Sequence, residues 1–258
     1  GERGRYGRGC LIDRSDWLLL DIGNTAIKWR FGSEFGLAEA AGRVERDISA
    51  LQTALLGKTW NQVAVSSVAG DDFDQTLSDW LAMHQVCPIW KPVPEEVWQG
   101  LKITYKKPAS MGIDRWLAML AVWCQGQAPA CVIDVGTALT IDIISLGGRH
   151  QGGFVVPGPN LMRNMLSRDT RLINVGKLLP PSLEAGFSTE TCVNAGVWIA
   201  VLGAVQRVLE CYPEHEAILT GGHAGELLDL GLKANRQPDL VLEGLHVWLS
   251  AHLDDLAP

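Results

Sequence analysis

Three short segments carry residue types that suit phosphate and cation chemistry. Asp21-Ile22-Gly23-Asn24-Thr25-Ala26-Ile27-Lys28 closes an apolar run, Trp17–Ile22. Glycine lets a backbone approach phosphate closely, and turn N–H groups with the Thr25 hydroxyl can donate to its oxygens. Lys28 adds a positive charge, and Asp21 is of the type that holds Mg²⁺ through water. The segment reads equally as an ordinary hairpin whose Gly and Asn supply positive φ. Asp134-Val135-Gly136-Thr137-Ala138-Leu139-Thr140-Ile141-Asp142 repeats the design after the apolar run Ala130–Val135. It sets Asp134, Thr137 and Thr140 around one turn. An acid among apolar neighbours is costly unless it is paired or used, so here the functional reading leads. In Gly112-Ile113-Asp114-Arg115, Gly112 opens space, Asp114 could accept a proton from a substrate hydroxyl, and Arg115 could grip an anion bidentately. The blander alternative is an acid favoured by a helix dipole, with its neighbour in a salt bridge.

These segments need scaffolds, and the sequence supplies alternating strands and helices of an α/β fold. Trp17–Ile22 and Ala26–Phe31 read as a hairpin turning at Gly23-Asn24-Thr25, and Val63–Val68 as a buried strand. Ile48–Leu56 and Asp71–His84 read as helices. Gly112–Trp123 has helical spacing with Ser110 as the expected N-cap. Ala130–Val135 and Leu139–Ser145 repeat the opening hairpin, as a duplicated half-chain would. Gly152–Gly158 and Thr220-Gly221-Gly222 read as glycine turns, each before a helix, the latter after a strand at Ala217–Leu219. Ser188 and Thr189 are N-cap candidates for an apolar helix, Glu190–Leu209, which belongs in a core or against another subunit. The expected organisation is a leader at 1–16, one domain at 17–127 and a second at 128–258, meeting near Gly126–Pro129 with a ligand cleft between them.

Composition narrows the class. The chain has 258 residues, 47% hydrophobic and 20% charged, enough for one large or two modest domains. The net charge of −7 argues against nucleic acid as the main partner. No stretch reads as a membrane span or signal peptide. The six cysteines form no C-x-x-C pair and read as reduced thiols of a cytoplasmic protein. The histidines nowhere cluster as metal ligands, and His223 reads as a surface or capping residue.

Together, DIGNTAIK (Asp21–Lys28), GIDR (Gly112–Arg115), DVGTALTID (Asp134–Asp142), GGFVVPG (Gly152–Gly158) and the TGG turn (Thr220–Gly222) resemble the type III pantothenate kinases. These are members of the acetate and sugar kinase, heat-shock chaperone ATPase and actin superfamily. The resemblance implies two ribonuclease-H-like domains with mixed sheets flanked by helices. It also implies ATP-dependent phosphorylation of the primary hydroxyl of pantothenate, the first step toward coenzyme A. Asp114 would be the general base. Tyr105, Gly112, Ile113, Asp114, Arg115 and Thr189 would bind pantothenate, with Thr189 reaching across a homodimer interface. Asp21, Ile22, Gly23, Asn24, Thr25, Ala26, Ile27, Lys28 and Thr137 would bind ATP. Asp21 would serve Mg²⁺, and Asp134 a monovalent cation, K⁺ or NH₄⁺. His223 departs from the acidic residue that relatives often carry after the TGG turn. Alternatives from the same fold are a non-catalytic nucleotide-binding regulator, an ATPase without an acceptor, and a kinase for another small hydroxylated substrate.

Overall fold

The computed structural model describes residues 17–84, 87–169 and 178–255. The expected leader at 1–16 lies outside them. In chain order the elements are β1 (Trp17–Ile22), β2 (Ala26–Ser33), β3 (Gly36–Glu45), α1 (Ile48–Ala54), β4 (Gln62–Ser67), α2 (Asp71–His84), β5 (Ile89–Trp90), β6 (Val97–Trp98), β7 (Leu101–Lys102) and α3 (Ile113–Cys124). Past Gly126–Pro129 come β8 (Ala130–Val135), β9 (Ala138–Ile144), β10 (His150–Pro157), α4 (Pro159–Asp169), α5 (Thr189–Cys211), β11 (Glu216–Thr220), α6 (Ala224–Asp229), β12 (Asn235–Arg236) and α7 (Leu240–Asp255).

Among the described residues ten strands form two five-stranded sheets of one topology, β3-β2-β1-β4-β5 and β10-β9-β8-β11-β12, and β6 pairs with β7 apart from them. In each, an antiparallel meander is extended by parallel strands. The repeat seen in the sequence is therefore a repeat of architecture. β1 and β8 even share a burial pattern, with five residues buried and the acid at the fifth position partly accessible.

Both central strands are covered on both faces, which is why they read as nearly continuous apolar runs. On β1, Leu18, Leu20 and Ile22 pack with Leu51 of α1 and with Leu77 and Leu81 of α2. Trp17 and Leu19 face the other way, onto α3 and α7. On β8, Ala130 and Val132 join that same α3–α7 layer, while Cys131, Ile133 and Val135 pack on Trp198 of α5 and Leu227 of α6. The α3–α7 pair is thus the middle layer between two sheets. Trp116–Val122 are buried all round, as a helix with sheets on both sides must be. The pair meets closely: a Cβ on Gly244 of α7 would stand 2.1 Å from the Leu117 carbonyl oxygen.

Several local expectations are corrected. Ser110 is not the cap of α3; it belongs to a 3-10 turn, Pro108–Ser110, where its hydroxyl donates to the Lys107 carbonyl, and Gly112 occupies the N-cap. Gly152–Gly158 is not a turn: most of it lies in β10, which pairs antiparallel with β9. Ser188 does cap α5, in a reciprocal box with Thr191. That helix is long and apolar enough to cross a membrane by composition, yet its face from Trp198 to Val208 is buried on the second sheet, as in a core helix. The described cysteines are free thiols.

Candidate active site

Strand periodicity aims the two motif acids. Asp21 follows Trp17 and Leu19 on alternate positions of β1, and Asp134 follows Ala130 and Val132 on β8. Side chains at i and i+2 share a face, so both carboxylates point into the space between the sheets, beside the carboxyl ends of the parallel strands. Ligands collect there in open α/β sheets. The hairpin after β1 closes with a Gly23 N–H to Ala26 carbonyl bond of 2.9 Å, and the one after β8 with Gly136 N–H to Ala138 at 2.9 Å. The first turn is one residue longer than the second.

The cleft has a volume of about 540 Å³ and is lined by Asp21, Gly23, Asn24, Thr25, Ala26, Lys28, Asp114, Asp134, Gly136 and Thr137, among others. That volume is in the usual range for a small-molecule site. Ile22 and Ile27 lie elsewhere, fully buried in the first-sheet core, so only their backbones remain available to a ligand. Sequence reasoning missed Arg43 on β3, Asn160 at the start of α4, and Pro238 and Asp239 before α7, all of which line the cleft. No local pattern announces them, because they arrive from distant elements. His223 lines the cleft as well, with Nε2 against Asn160 at 2.9 Å and Nδ1 against Glu226 at 3.0 Å. The TGG turn comes closer than a side chain would allow. Gly221 has φ +99°, and a Cβ there would sit 2.4 Å from Asp134 Oδ1.

Asp114 stands in the first turn of α3, where its Oδ1 accepts the Arg115 backbone N–H at 2.8 Å. A Cβ at Gly112 would stand 2.6 Å from that oxygen, so the glycine of this motif makes room for the folded-back carboxylate. Arg115 does not pair with Asp114. Its Nε donates to Asp142 Oδ2 at 2.9 Å and its Nη2 to Asp142 Oδ1 at 2.6 Å, while Nη1 donates to the Tyr105 hydroxyl at 3.0 Å. Tyr105 and Arg115 are thereby joined next to Asp114. Thr189 is not brought to the cleft; it lines a separate apolar groove between α4 and α5.

Electrostatically the cleft is short of positive charge. Burial raises the Asp21 carboxyl to about 7, with Lys28 opposing and Asp114 and Asp134 reinforcing the shift. Burial likewise raises Asp134 to about 6, again opposed by Lys28 and reinforced by Asp114. Asp114 is raised by burial, against the pull of the Arg115 N–H and guanidinium. Burial is the main cause at all three acids, and neighbouring carboxylates add to it. Among the described residues no group of three His, Cys, Asp or Glu converges as a ready metal cage. The donor set fits a hydrated hard cation that takes part of its shell from water and phosphate.

Comparison with known proteins gives the family and the fold. The sequence profile of the type III pantothenate kinases matches residues 17–210. A type III pantothenate kinase of Marinobacter nauticus is 35% identical, covering 91% of this chain and 98% of its own. One from Nitrosomonas eutropha is 36% identical, covering 89% and 93%. Among solved structures, a Campylobacter jejuni protein described as a Baf family transcriptional activator superimposes with a TM-score of 0.57 at 20% identity, covering 92% of this chain and 99% of its own. An activator of 2-hydroxyisocaproyl-CoA dehydratase from Clostridium difficile, solved with ADPNP, gives 0.53 at 11%, covering 93% and 97%. These likenesses carry the fold, two ribonuclease-H-like units around a cleft. On its sequence, the chain belongs to the type III pantothenate kinase family.

Proposed function

We propose that the protein transfers the γ-phosphoryl group of ATP to the primary hydroxyl of pantothenate, with Asp114 as general base. The observation that carries this reading is the position of Asp114: a carboxylate at the mouth of α3, in one cleft with both glycine turns and beside an arginine. Phosphoryl transfer asks for positioning and charge neutralisation more than covalent chemistry. The turn amides of Asn24, Thr25 and Thr137, which the hairpin-closing bonds do not use, would with Lys28 cradle the phosphates. Asp21 would serve Mg²⁺ through water and Asp134 a monovalent cation, K⁺ or NH₄⁺. The cation's chemistry is to neutralise charge on the phosphate oxygens. The pantothenate hydroxyl oxygen forms the new bond to the γ-phosphorus as the bridge to the β-phosphate breaks. Its proton passes to Asp114, whose raised pKa suits late acceptance. Arg115 and Tyr105 would receive the carboxylate end of the substrate, with Gly112 and Ile113 beside it.

We further infer a cytoplasmic homodimer. The groove of about 1110 Å³ that contains Thr189 is lined by Met162, Met165, Leu166, Phe187 and Val197, and Phe187 is fully exposed. An apolar patch of this kind suits an interface, and in the homodimer that the family resemblance implies, Thr189 would reach across it. The test of function is ADP release from MgATP with and without pantothenate, in K⁺ and in Na⁺ buffer. Pantothenate-dependent release that needs K⁺ supports the reading. A folded, ATP-binding protein that pantothenate does not stimulate refutes it.

A further inference from the structure

Asp142 has no part in the scheme above, yet it is among the most deeply enclosed charges described, with its side chain 2% exposed. It sits in β9 between the buried residues Ile141 and Ile143, paired across to Val132 and Gly153. Three donors converge on its two oxygens. Arg115 reaches both, through Nε at 2.9 Å and Nη2 at 2.6 Å, and His150 Nε2 lies 3.0 Å from Oδ1. His150 is itself fully buried. Facing a carboxylate, its Nε2 is the donor. The enclosure has no slack: a Cβ on Gly153 would stand 2.5 Å from Asp142 Oδ1 and 2.9 Å from Arg115 Nη2.

The same contacts decide what Arg115 has left. A guanidinium carries five N–H donors. Nε and one N–H of Nη2 are spent on Asp142, and one N–H of Nη1 on Tyr105. One N–H on each Nη remains, on a side chain that keeps 12% of its surface accessible beside Asp114. A pair that served only packing would have no reason to leave that end open. The Asp142 carboxylate also offsets the charge of Arg115, so an incoming anion is recognised by the direction of two N–H groups more than by net charge.

We propose that Asp142, anchored from behind by His150, is a positioning residue. It fixes the Arg115 guanidinium so that its remaining Nη donors meet the carboxylate of the phosphoryl acceptor, and so sets the preference for an acidic acceptor over its neutral counterpart. The inference rests on the reading of Arg115 as the acceptor's anion site.

The experiment compares pantothenate with pantothenol, which keeps the primary hydroxyl and replaces the carboxylate with an alcohol. Wild-type turnover of pantothenate comes first; its absence refutes the functional reading and this inference with it. In Asp142→Asn, kcat/KM for pantothenate should fall about 10- to 100-fold, mainly through KM, as expected when a charge-assisted contact loses its orientation. KM for MgATP and kcat/KM for pantothenol should stay within about 3-fold of wild type. Adding Asp142→Asn to Arg115→Ala should cost nothing further, because Asp142 acts only through Arg115. Equal losses for both acceptors, or additive losses in the double variant, overturn the inference while leaving the kinase reading standing. Should Asp142→Asn fail to fold, His150→Gln is decisive. A smaller fall in the acid-over-alcohol preference supports the anchor, and an unchanged preference overturns it.

Discussion

The acids of the cleft should reveal themselves as protons released when nucleotide binds. With carboxyls at about 7 for Asp21 and about 6 for Asp134, the ligand-free protein at pH 6.5 holds about 0.8 proton on the first and about 0.2 on the second. At pH 8 the two together hold about 0.1. Binding of the Mg²⁺–nucleotide complex in K⁺ buffer would bring Mg²⁺ to Asp21 and K⁺ to Asp134, so they ionise and release what they held. Calorimetry at each pH, in two buffers of different ionisation enthalpy, gives the number released. Asp21→Asn run in parallel cancels protons that belong to the nucleotide. The parent should exceed the variant by about 0.8 proton at pH 6.5 and by about 0.1 at pH 8. A difference that is absent at pH 6.5, or that does not shrink toward pH 8, refutes the electrostatic account of the cleft. The linked stability has a definite sign. The folded values lie above the unfolded value of 3.8, so the folded state binds the extra protons. Their stabilisation is complete below about 3.8 and is lost as pH rises through about 6 and 7. The ligand-free protein should therefore melt lower at pH 8 than at pH 5.5, and bound MgATP should narrow that gap.

Asp114→Asn keeps an oxygen for the Arg115 N–H but cannot take a proton. Turnover should drop about 10²- to 10⁴-fold with MgATP binding nearly unchanged, and retained turnover in a single-turnover assay would remove Asp114 from the chemistry. Asp134→Asn should abolish the dependence of rate on K⁺; a variant still stimulated by K⁺ would put that cation elsewhere. Gly244→Ala drives a methyl into the Leu117 carbonyl, forcing α3 and α7 apart against a helix-propensity gain of about 1 kcal/mol. The net cost should be about 1–3 kcal/mol, which urea titration would detect. Phe187→Glu should halve the mass seen in sedimentation if the α4–α5 groove is the dimer face, and an unchanged mass would exclude that face.

The legible parts of the fold were those whose sequence is dictated by burial on both sides. Trp17–Ile22 and Ala130–Val135 have no exposed face, so their apolar runs end only where an acid is wanted, and both motif acids were visible for that reason. β3 escaped notice because it is an edge strand with a mostly exposed, small and charged sequence, Gly36–Glu45. Gly152–Gly158 imitated a turn: the glycine at 153 answers to crowding by Asp142 and Arg115, a long-range demand that looks like a local signal. Ser110 was the nearest capping residue type, but the 3-10 turn ahead of α3 moved the boundary past it. The contiguous motifs supplied Asp21, Asn24, Thr25, Lys28, Asp114, Asp134 and Thr137 to the cleft lining, while Ile22 and Ile27 of the same stretch turn into the core. Arg43, Asn160 and Asp239 had no such signal, since only the folded chain brings them to the cleft. The partner of Arg115 could have been suspected from an aspartate set between two isoleucines in a strand, where an unpaired charge would be costly.

The middle helical layer has a consequence for how the molecule is made. Its two members come from opposite ends of the second sheet's sequence: α3 precedes β8, and α7 follows β12. Until Leu240–Asp255 has been synthesised, Trp17 and Leu19 lack the α7 half of their cover, and the first sheet waits with apolar surface open to solvent. During translation the earlier half is therefore a provisional structure completed by the latest segment, the kind of long-range closure that slows folding and invites association with chaperones. Cutting the chain at Gly126–Pro129 would likewise yield no autonomous halves. One fragment would lack α7 and the other α3, and each would recover its missing wall only from the other.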